Sequence, residues 1–237
     1  MRNSNKKSAL RPYVWKNVVP VWFDIGTRVV LALFFALAAG VYFRSVLTHI
    51  ENPNAAVSRL GWIADILSIA SIGFFMFFIA YIYAVRLRAV SKFAGLVPMT
   101  TAIAGAFLTW GLLFLTPRMD LVPGVKITAA LLVFVGNAFA IWGVLHLGRS
   151  FSILPEGRKV VKTGPYRFVR HPLYVGEAVS SIGAMINFLS PAALALVVVQ
   201  LLLQLARIHY EEKVLRENFP EYAAYAKRTA RLIPGIY

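Results

Sequence analysis

The sequence predicts an all-α integral membrane protein with about six transmembrane helices, the last two forming a helical hairpin. Apolar residues make up 59% of its 237 residues and charged residues only 15%, compared with about a quarter in soluble domains. Mean hydropathy is +0.67, and a soluble fold of this size could not bury so much apolar surface. Long apolar runs recur along the chain, close to the roughly 20 residues that a spanning helix needs.

The charge and the cysteine content narrow the class of protein further. The chain has no cysteine and a formal net charge of +15. The lack of cysteine excludes thiolate nucleophiles, zinc fingers and iron–sulfur centres. An excess of Lys and Arg is typical of proteins that bind nucleic acid or an anionic membrane surface, and the hydropathy favours the membrane. We therefore expect membrane lipids as partners, and neither nucleic acid nor a metal ion.

The chain is predicted to form a single membrane domain, 1–237, that begins with a segment outside the bilayer. Residues 1–24 hold Tyr13, Trp15, Trp22 and Phe23 among basic residues, a pattern typical of a short interfacial helix. Four transmembrane helices are predicted within 25–147, from apolar runs at Ile25–Leu47, Leu60–Val85, Leu96–Thr116 and Ile127–Leu147.

The apolar region 173–207 is too long for one simple span. It contains Asn187 and then Ser190-Pro191, which predict a break near its middle because proline cannot continue a helix. We therefore divide it into a hairpin of two helices, Pro172–Leu189 and Pro191–Arg207. A single long span with a kink at Pro191 is the alternative.

The distribution of basic residues predicts the orientation. All but four of the 25 Lys and Arg residues fall before the first span or at its edge (Arg28), in the second and fourth loops, or from Arg207 onward. Loops rich in Lys and Arg stay on the cytoplasmic side. Both termini and the long fourth loop are therefore expected in the cytoplasm, with the protein in a bacterial inner membrane.

A polar stripe follows the last predicted helix. Gln200, Gln204, Arg207 and Glu211 are spaced by four, three and four residues, which places them on one helical face. Such a stripe on an otherwise apolar helix indicates one wall of a cavity. The alternative is a seam of interhelical hydrogen bonds that ends in an exposed Arg207–Glu211 ion pair, which would stabilise the fold little.

Three other polar residues of the spans have simpler interpretations. Asp65 is predicted to be an interfacial carboxylate that meets headgroups. Asn137 is predicted to form a hydrogen bond between helices. His146 lies at the cytoplasmic end of its span, where a solvated histidine needs no special role.

The fourth loop predicts a ligand site. Pro165 and Pro172 stiffen a segment rich in aromatic and basic residues, 164–176. Pro172 disfavours helical geometry at His171 and suits the first position of the next helix, where backbone N–H groups are free. A rigid loop at a helix N-terminus fits an anionic or nucleoside ligand. A basic loop that rests on anionic lipid is the alternative.

These residues resemble a known family, the isoprenylcysteine carboxyl methyltransferase superfamily of integral membrane enzymes. The resemblance covers roughly 151–237. It is carried by Gly164-Pro165-Tyr166, Arg170-His171-Pro172, Tyr174 and Gly176, then Arg207 with Glu211-Glu212, then Phe219, Tyr222 and Tyr225, and finally Arg231-Leu232-Ile233-Pro234-Gly235. It implies a methyltransferase-like catalytic region over 148–237, with a cytoplasmic cofactor-binding loop and a C-terminal helix. The implied cofactor is S-adenosylmethionine, with S-adenosylhomocysteine as product.

The resemblance also implies residue roles. Arg207 would be catalytic and face the acceptor. Gln204 and Gln200, from the same polar stripe, are predicted to bind the substrate beside it. Family members that methylate carboxyl groups often have His where this chain has Arg158. This difference weakens the implied substrate more than the implied cofactor. The cofactor would be bound by Arg158, Lys159, Val160, Val161, Tyr166, His171, Pro172, Leu173, Tyr174 and Glu211.

The chemistry of the acceptor determines which side chains the reaction needs. A carboxylate is already ionised at neutral pH, so it needs no general base, and Arg207 could hold it through two parallel hydrogen bonds. An ammonium or thiol acceptor must lose a proton first. His209, Glu212 and Glu177 are the candidate bases for that case.

The sequence therefore favours S-adenosylmethionine-dependent methyl transfer to a hydrophobic or lipidic acceptor at the cytoplasmic membrane face. The carboxylate of a prenyl-cysteine-like molecule is the first choice, because of Arg207. A phospholipid amine or a small thiol is the alternative acceptor. Two other classes remain open: an NADPH-dependent membrane reductase of the sterol-reductase type, and a transporter or lipid-binding scaffold.

Overall fold

The computed structural model describes residues 20–52, 58–89, 95–118 and 121–235. The predictions for Tyr13, Trp15 and both chain ends concern residues that lie outside these ranges. Within them the fold is all-α, as predicted. The helices are α1 Val21–Glu51, α2 Arg59–Val85, α3 Leu96–Phe107, α4 Pro123–Leu147, α5 Pro172–Ile186, α6 Pro191–Asn218 and α7 Glu221–Ala226. The α1 helix therefore begins inside the predicted interfacial segment and includes Trp22 and Phe23.

Helices α5 and α6 are separate, so the hairpin is confirmed and the single kinked span is wrong. The α5 helix ends at Ile186, and Leu189 takes a left-handed conformation with φ of 38°. Ser190 then caps α6, because its Oγ accepts a hydrogen bond from Ala193 N at 3.1 Å. Pro191 occupies the first turn of α6, where its missing N–H costs no hydrogen bond.

Five helices of the described residues are long and apolar enough to cross a membrane. The sixth predicted span, α5, has 15 residues and is therefore about 22 Å long, less than the roughly 30 Å of a hydrocarbon core. The third span is α3 followed by a 3₁₀ segment, Leu108–Phe114. The last helix, α6, extends well beyond its predicted end at Arg207.

Helices α4 and α5 pack closely through small residues. A Cβ atom on Gly136 would lie 2.4 Å from Ser180 N, and one on Gly176 would lie 2.6 Å from Ala140 N. Backbones that approach this closely need glycine at the contact. The predicted role of Asn137 is confirmed, since its Nδ2 donates to Ser71 Oγ of α2 at 3.1 Å.

The loop between α4 and α5 is held by the end of the chain. Val169 and Ala230 form an isolated parallel bridge, and Arg170 N and His171 N donate to carbonyl oxygens of Ala230 and Arg231 at 2.8 and 3.2 Å. The Arg170 side chain donates to the carbonyl oxygens of Ala226 and Thr229. The segment after α7 thus fixes the backbone that leads into α5.

Candidate functional site

A cavity lies where the end of α4, the fourth loop, the start of α5 and the late turns of α6 meet. We call it the loop cavity. Eight of the ten residues predicted to bind the cofactor line it, namely Lys159, Val160, Val161, Tyr166, His171, Leu173, Tyr174 and Glu211. The structure therefore brings together residues that lie up to about fifty positions apart in sequence.

The other two predicted cofactor residues do not line the loop cavity. Pro172 is buried at the first turn of α5. Arg158 lines a neighbouring cavity that shares six residues with the loop cavity, Lys159 and Glu211 among them. Its buried guanidinium lies 2.6 Å from Glu156 Oε2 and 3.6 Å from Asp24 Oδ1. Arg158 is thus positioned to anchor the loop to α1.

Seven further residues line the loop cavity without having been predicted to bind the cofactor. They are Leu147, Phe151, Ser152, Arg170, Leu215, Tyr222 and Tyr225. Tyr222 and Tyr225 belong to the family-like motif that begins at Phe219, and this motif was the signal in the sequence that could have assigned them to the site. Tyr225 donates from its hydroxyl to Tyr166 O at 2.6 Å. Burial raises the pKa of Tyr166, and it raises the pKa of Tyr225 to about 12, so both rings are neutral at physiological pH.

Among the described residues, Glu211 supplies the carboxylate that faces the loop cavity. Glu211 accepts a hydrogen bond from the Tyr174 hydroxyl, and its Oε2 lies 4.0 Å from His171 Nδ1. Its side chain is 23% exposed, so part of the carboxylate remains accessible. Tyr174 and His171 therefore orient Glu211 while leaving it room for a cationic ligand.

The neighbouring carboxylate, Glu212, has a different environment. It is fully buried, with Arg170 at 2.8 Å and His171 Nε2 at 3.2 Å from Oε1. Arg216 and Arg231 lie 2.6 and 3.2 Å from Oε2. A carboxylate with these partners holds the loop, α6 and the segment after α7 together. The structure therefore does not support Glu212 as a general base. It does not support His209 in that role either, because His209 is exposed.

A second cavity, of about 300 Å³, lies among the helices, and we call it the membrane cavity. Its lining divides into two walls. Helices α4, α5 and α6 contribute the polar groups of Asn137, Glu177, Ser180, Ser181 and Gln200. The opposite wall, from α1, α2 and the 3₁₀ segment, is mainly apolar, with Tyr42, Ile72, Phe75, Met76, Trp110, Leu112 and Leu113.

Arg207 lines neither cavity but contacts one lining residue of each. Its guanidinium stacks on the ring of Tyr174, which lines the loop cavity, with 4.8 Å between the guanidinium carbon and the ring centroid. Its Nη1 lies 3.8 Å from Glu177 Oε2, which lines the membrane cavity. Arg207 is only 3% exposed, so the alternative of an exposed Arg207–Glu211 ion pair is wrong.

The predicted polar stripe of α6 faces the interior of the bundle. Gln200 and Gln204 are buried beside Arg207, and Gln204 Nε2 donates to Glu177 Oε2 at 3.0 Å. The Nε and Nη1 atoms of Arg207 have no hydrogen-bond acceptor among the described residues. A buried guanidinium with free donors is suited to hold a carboxylate.

A buried charge network that the sequence did not reveal supports the fourth loop. Arg86, at the end of α2, donates to Asp24 Oδ1 of α1 at 3.1 Å and to Thr27 Oγ1 at 2.8 Å. Its guanidinium stacks on Tyr83, whose hydroxyl accepts a hydrogen bond from Ile153 N. Arg158 reaches the same Asp24 carboxylate from the loop. Long-range contacts of this kind have no local sequence pattern.

The fold is that of an α-helical integral membrane protein. Its buried Arg207 contacts one residue of the loop cavity and one residue of the membrane cavity. Residues 128–217 match the sequence profile of the isoprenylcysteine carboxyl methyltransferase family. The chain is also 32% identical over 138 residues to the Probable protein-S-isoprenylcysteine O-methyltransferase of Oryza sativa subsp. indica, covering 54% of this chain and 70% of that protein. The chain belongs to this family.

Other similar proteins share shorter stretches. The nickel-cobalt-cadmium resistance protein NccN of Alcaligenes xylosoxydans xylosoxydans is 41% identical over 86 residues, 34% of this chain and 40% of that protein. In further curated relatives the matched part covers 39–57% of their length. The solved structure of the eukaryotic intramembrane Ras methyltransferase has a TM-score of 0.45 at 20% identity, over 91% of this chain and 84% of that one.

Proposed function

We propose that this protein transfers a methyl group from S-adenosylmethionine to the carboxylate of a lipid-soluble acceptor of the prenyl-cysteine type. The position of Arg207 carries the proposal, because its guanidinium contacts a side chain of each cavity. A group held there lies between a site for a polar ligand and a site for an apolar one. Membership of the family supports the same reaction.

The residues of the loop cavity fit S-adenosylmethionine. Glu211 supplies a partly exposed carboxylate for a cationic ligand, and Tyr166, Tyr174, Tyr222 and Tyr225 supply aromatic faces, to which cations are attracted. Val160 and Val161 add apolar contacts suited to a nucleoside. When bound, the cofactor supplies an electrophilic methyl group on a positively charged sulfur.

The protein's own contribution is to hold the acceptor and to exclude water. Arg207 holds the acceptor carboxylate through the N–H donors of its guanidinium, and stacking on Tyr174 fixes the plane of the guanidinium. No proton has to be moved, because the carboxylate is ionised at neutral pH. Burial of Arg207 strengthens this contact by lowering the local dielectric.

A thiol or amine acceptor is the second candidate, and the position of Glu177 favours it. Of the three candidate bases, Glu177 is the one that lines the membrane cavity. There it could accept the proton that a thiol or an ammonium must lose. Its contacts with Arg207 and Gln204 instead favour a positioning role, which is why the carboxylate reaction ranks first.

A direct assay tests the proposal. The full chain in lipid nanodiscs is incubated with methyl-labelled S-adenosylmethionine and either N-acetyl-S-farnesylcysteine, a phospholipid extract or a small thiol. We expect label in the farnesylcysteine as a base-labile methyl ester. Label only in the phospholipid or the thiol would overturn the carboxylate assignment. Stabilisation by NADPH and not by S-adenosylhomocysteine in thermal unfolding would favour the reductase instead.

The proposed location is a bacterial inner membrane, with the loop cavity open to the cytoplasm. The fourth loop and the late part of α6, both rich in Lys and Arg, lie at this end of the bundle. Asp65 and Lys126, near the starts of α2 and α4, form a 3.7 Å ion pair at the other end. The positive-inside rule then supports a cytoplasmic loop cavity.

A further inference from the structure

The polar wall of the membrane cavity ends at Gln200, whose amide orientation is fixed by its neighbour. Gln200 is 2% exposed, and its Nε2 donates to the Gly105 carbonyl oxygen of α3 at 2.5 Å. Reversing the amide would set two acceptor oxygens against each other, so the assignment follows from the contact. The amide oxygen, Oε1, therefore points away from α3.

Gln200 Oε1 is a buried acceptor without a protein donor. Among the described residues no N–H or O–H group lies within hydrogen-bond reach of it. A buried carbonyl left unpaired destabilises a protein by about 1–3 kcal/mol, so such groups are usually paired. Since Gln200 lines the membrane cavity, a bound molecule can supply the donor.

The free acceptor of Gln200 and the free donors of Arg207 lie near each other. Both side chains reach Gly105: Gln200 through its hydrogen bond, and Arg207 through Cδ, which lies 2.5 Å from where a Cβ on Gly105 would be. One ligand could therefore meet both. Its complementary groups would be an anion for Arg207 and a neutral hydrogen-bond donor for Gln200.

We infer that Gln200 determines which acids are accepted, by binding an N–H or O–H donor that the acceptor carries next to its carboxylate. The inference rests on the proposed function and names its acceptor class more narrowly: an N-acylated or hydroxylated lipophilic acid, rather than a plain fatty or prenyl acid. A site built around a hydrogen bond discriminates strongly against molecules that lack it, because the buried partner is left unpaired.

Two acids that differ only in the donor test the inference. N-acetyl-S-farnesylcysteine carries an amide N–H beside its carboxylate, and 3-(farnesylthio)propanoate lacks the acetamido group. We expect the full chain in nanodiscs to favour the first by about tenfold or more in kcat/KM. In the Gln200→Met variant the ratio of the two kcat/KM values should fall to about one, mainly because kcat/KM for N-acetyl-S-farnesylcysteine decreases.

A matched control and a cofactor measurement accompany the variant. Val199 is the preceding residue on α6 and is 47% exposed, so Val199→Met should keep the wild-type preference. S-adenosylhomocysteine affinity should be unchanged in both variants, which shows that the loop cavity is intact. If both acids are methylated equally by the wild type, or if Gln200→Met keeps the preference, the inference is overturned while the proposed function stands. If neither acid is methylated, the proposed function fails and the inference fails with it.

Discussion

Arg207 and Glu211 are one helical turn apart on α6 and share Tyr174 as a partner, but their other surroundings differ. Arg207 contacts Glu177 and Tyr174, whereas Glu211 accepts from Tyr174 and faces the loop cavity. If Arg207 holds the acceptor and Glu211 the cofactor, their substitutions should have different kinetic effects. A variant of Arg207 should therefore change turnover, and a variant of Glu211 should change cofactor affinity.

We predict that Arg207→Lys lowers kcat by about 10- to 100-fold and leaves S-adenosylhomocysteine affinity nearly unchanged, because lysine keeps the charge but loses the planar fork. Glu211→Gln should instead weaken cofactor binding by about 1–3 kcal/mol. Isothermal titration and initial rates measure the two effects. The exposed residues Arg44 and Glu217 provide control variants, Arg44→Lys and Glu217→Gln. Matching profiles for Arg207→Lys and Glu211→Gln would contradict the division of roles.

The pH dependence of the rate distinguishes the acceptor classes. A carboxylate has an unperturbed pKa of about 4, and a thiol of about 8.5. With the cofactor saturating, we expect a flat rate from pH 7 to pH 9. Burial raises the pKa of Tyr225 to about 12 and raises that of Tyr166 as well, so both tyrosines stay protonated throughout this window. A steep rise in rate toward pH 9 would favour a thiol or amine acceptor.

At the scale of elements, Glu212 connects three parts of the chain. We predict that Glu212→Gln lowers the free energy of unfolding by about 3–5 kcal/mol, since removing a buried charge leaves its partners uncompensated. Thermal unfolding of the full chain in detergent measures the loss. Glu217→Gln, one and a half turns later on α6 and exposed, should leave the melting temperature within error. A Glu212→Gln protein that melts like the wild type would show that its three arginine partners and His171 do not depend on this carboxylate.

The contact between α3 and α6 depends on Gly105. A Cβ there would lie 2.5 Å from Arg207 Cδ and 3.5 Å from Leu203 Cβ. We predict that Gly105→Ala displaces Arg207 and lowers kcat by about tenfold or more, because small misplacements of positioning groups are costly, while cofactor affinity is kept. Gly111→Ala is the matched control, since its Cβ would meet the flexible end of Leu196 at 3.3 Å. Equal rates in Gly105→Ala and Gly111→Ala would contradict the prediction that Gly105 positions Arg207.

Elements with local signals in the sequence could be predicted. Ser190-Pro191 marked the break between α5 and α6, and the four-three-four spacing placed Gln200, Gln204 and Arg207 on one buried face. The partner of Arg207 is Glu177 rather than Glu211, which spacing along one helix could not reveal. The α5 helix ends at Ile186, three residues before the predicted Leu189. The 3₁₀ segment after α3 was not predicted, because its apolar residues carry no local signal that distinguishes it from an α-helix.

At the scale of the whole molecule, the two cavities draw on different parts of the chain. The loop cavity is lined mainly by residues within or just after the family match at 128–217. The apolar wall of the membrane cavity comes from α1, α2 and the 3₁₀ segment, which precede the match. Family membership therefore supports the proposed cofactor site more closely than the proposed acceptor site, and we expect acceptor selectivity to depend partly on these first three spans.

The orientation of the whole molecule can be tested because the chain has no cysteine, so one introduced cysteine is the sole thiol. Glu217 is exposed near the end of α6, on the side of the loop cavity, and Arg59 is exposed at the start of α2, at the opposite end. We predict that Arg59→Cys reacts with a membrane-impermeant maleimide in intact bacterial spheroplasts. Glu217→Cys should react only after the membrane is permeabilised. Most of the 25 Lys and Arg residues are predicted to lie on the side of the loop cavity, so this result is the one expected from the positive-inside rule. The reverse labelling pattern would place the loop cavity outside the cytoplasm, where S-adenosylmethionine could not reach it, and would overturn the proposed location and activity together.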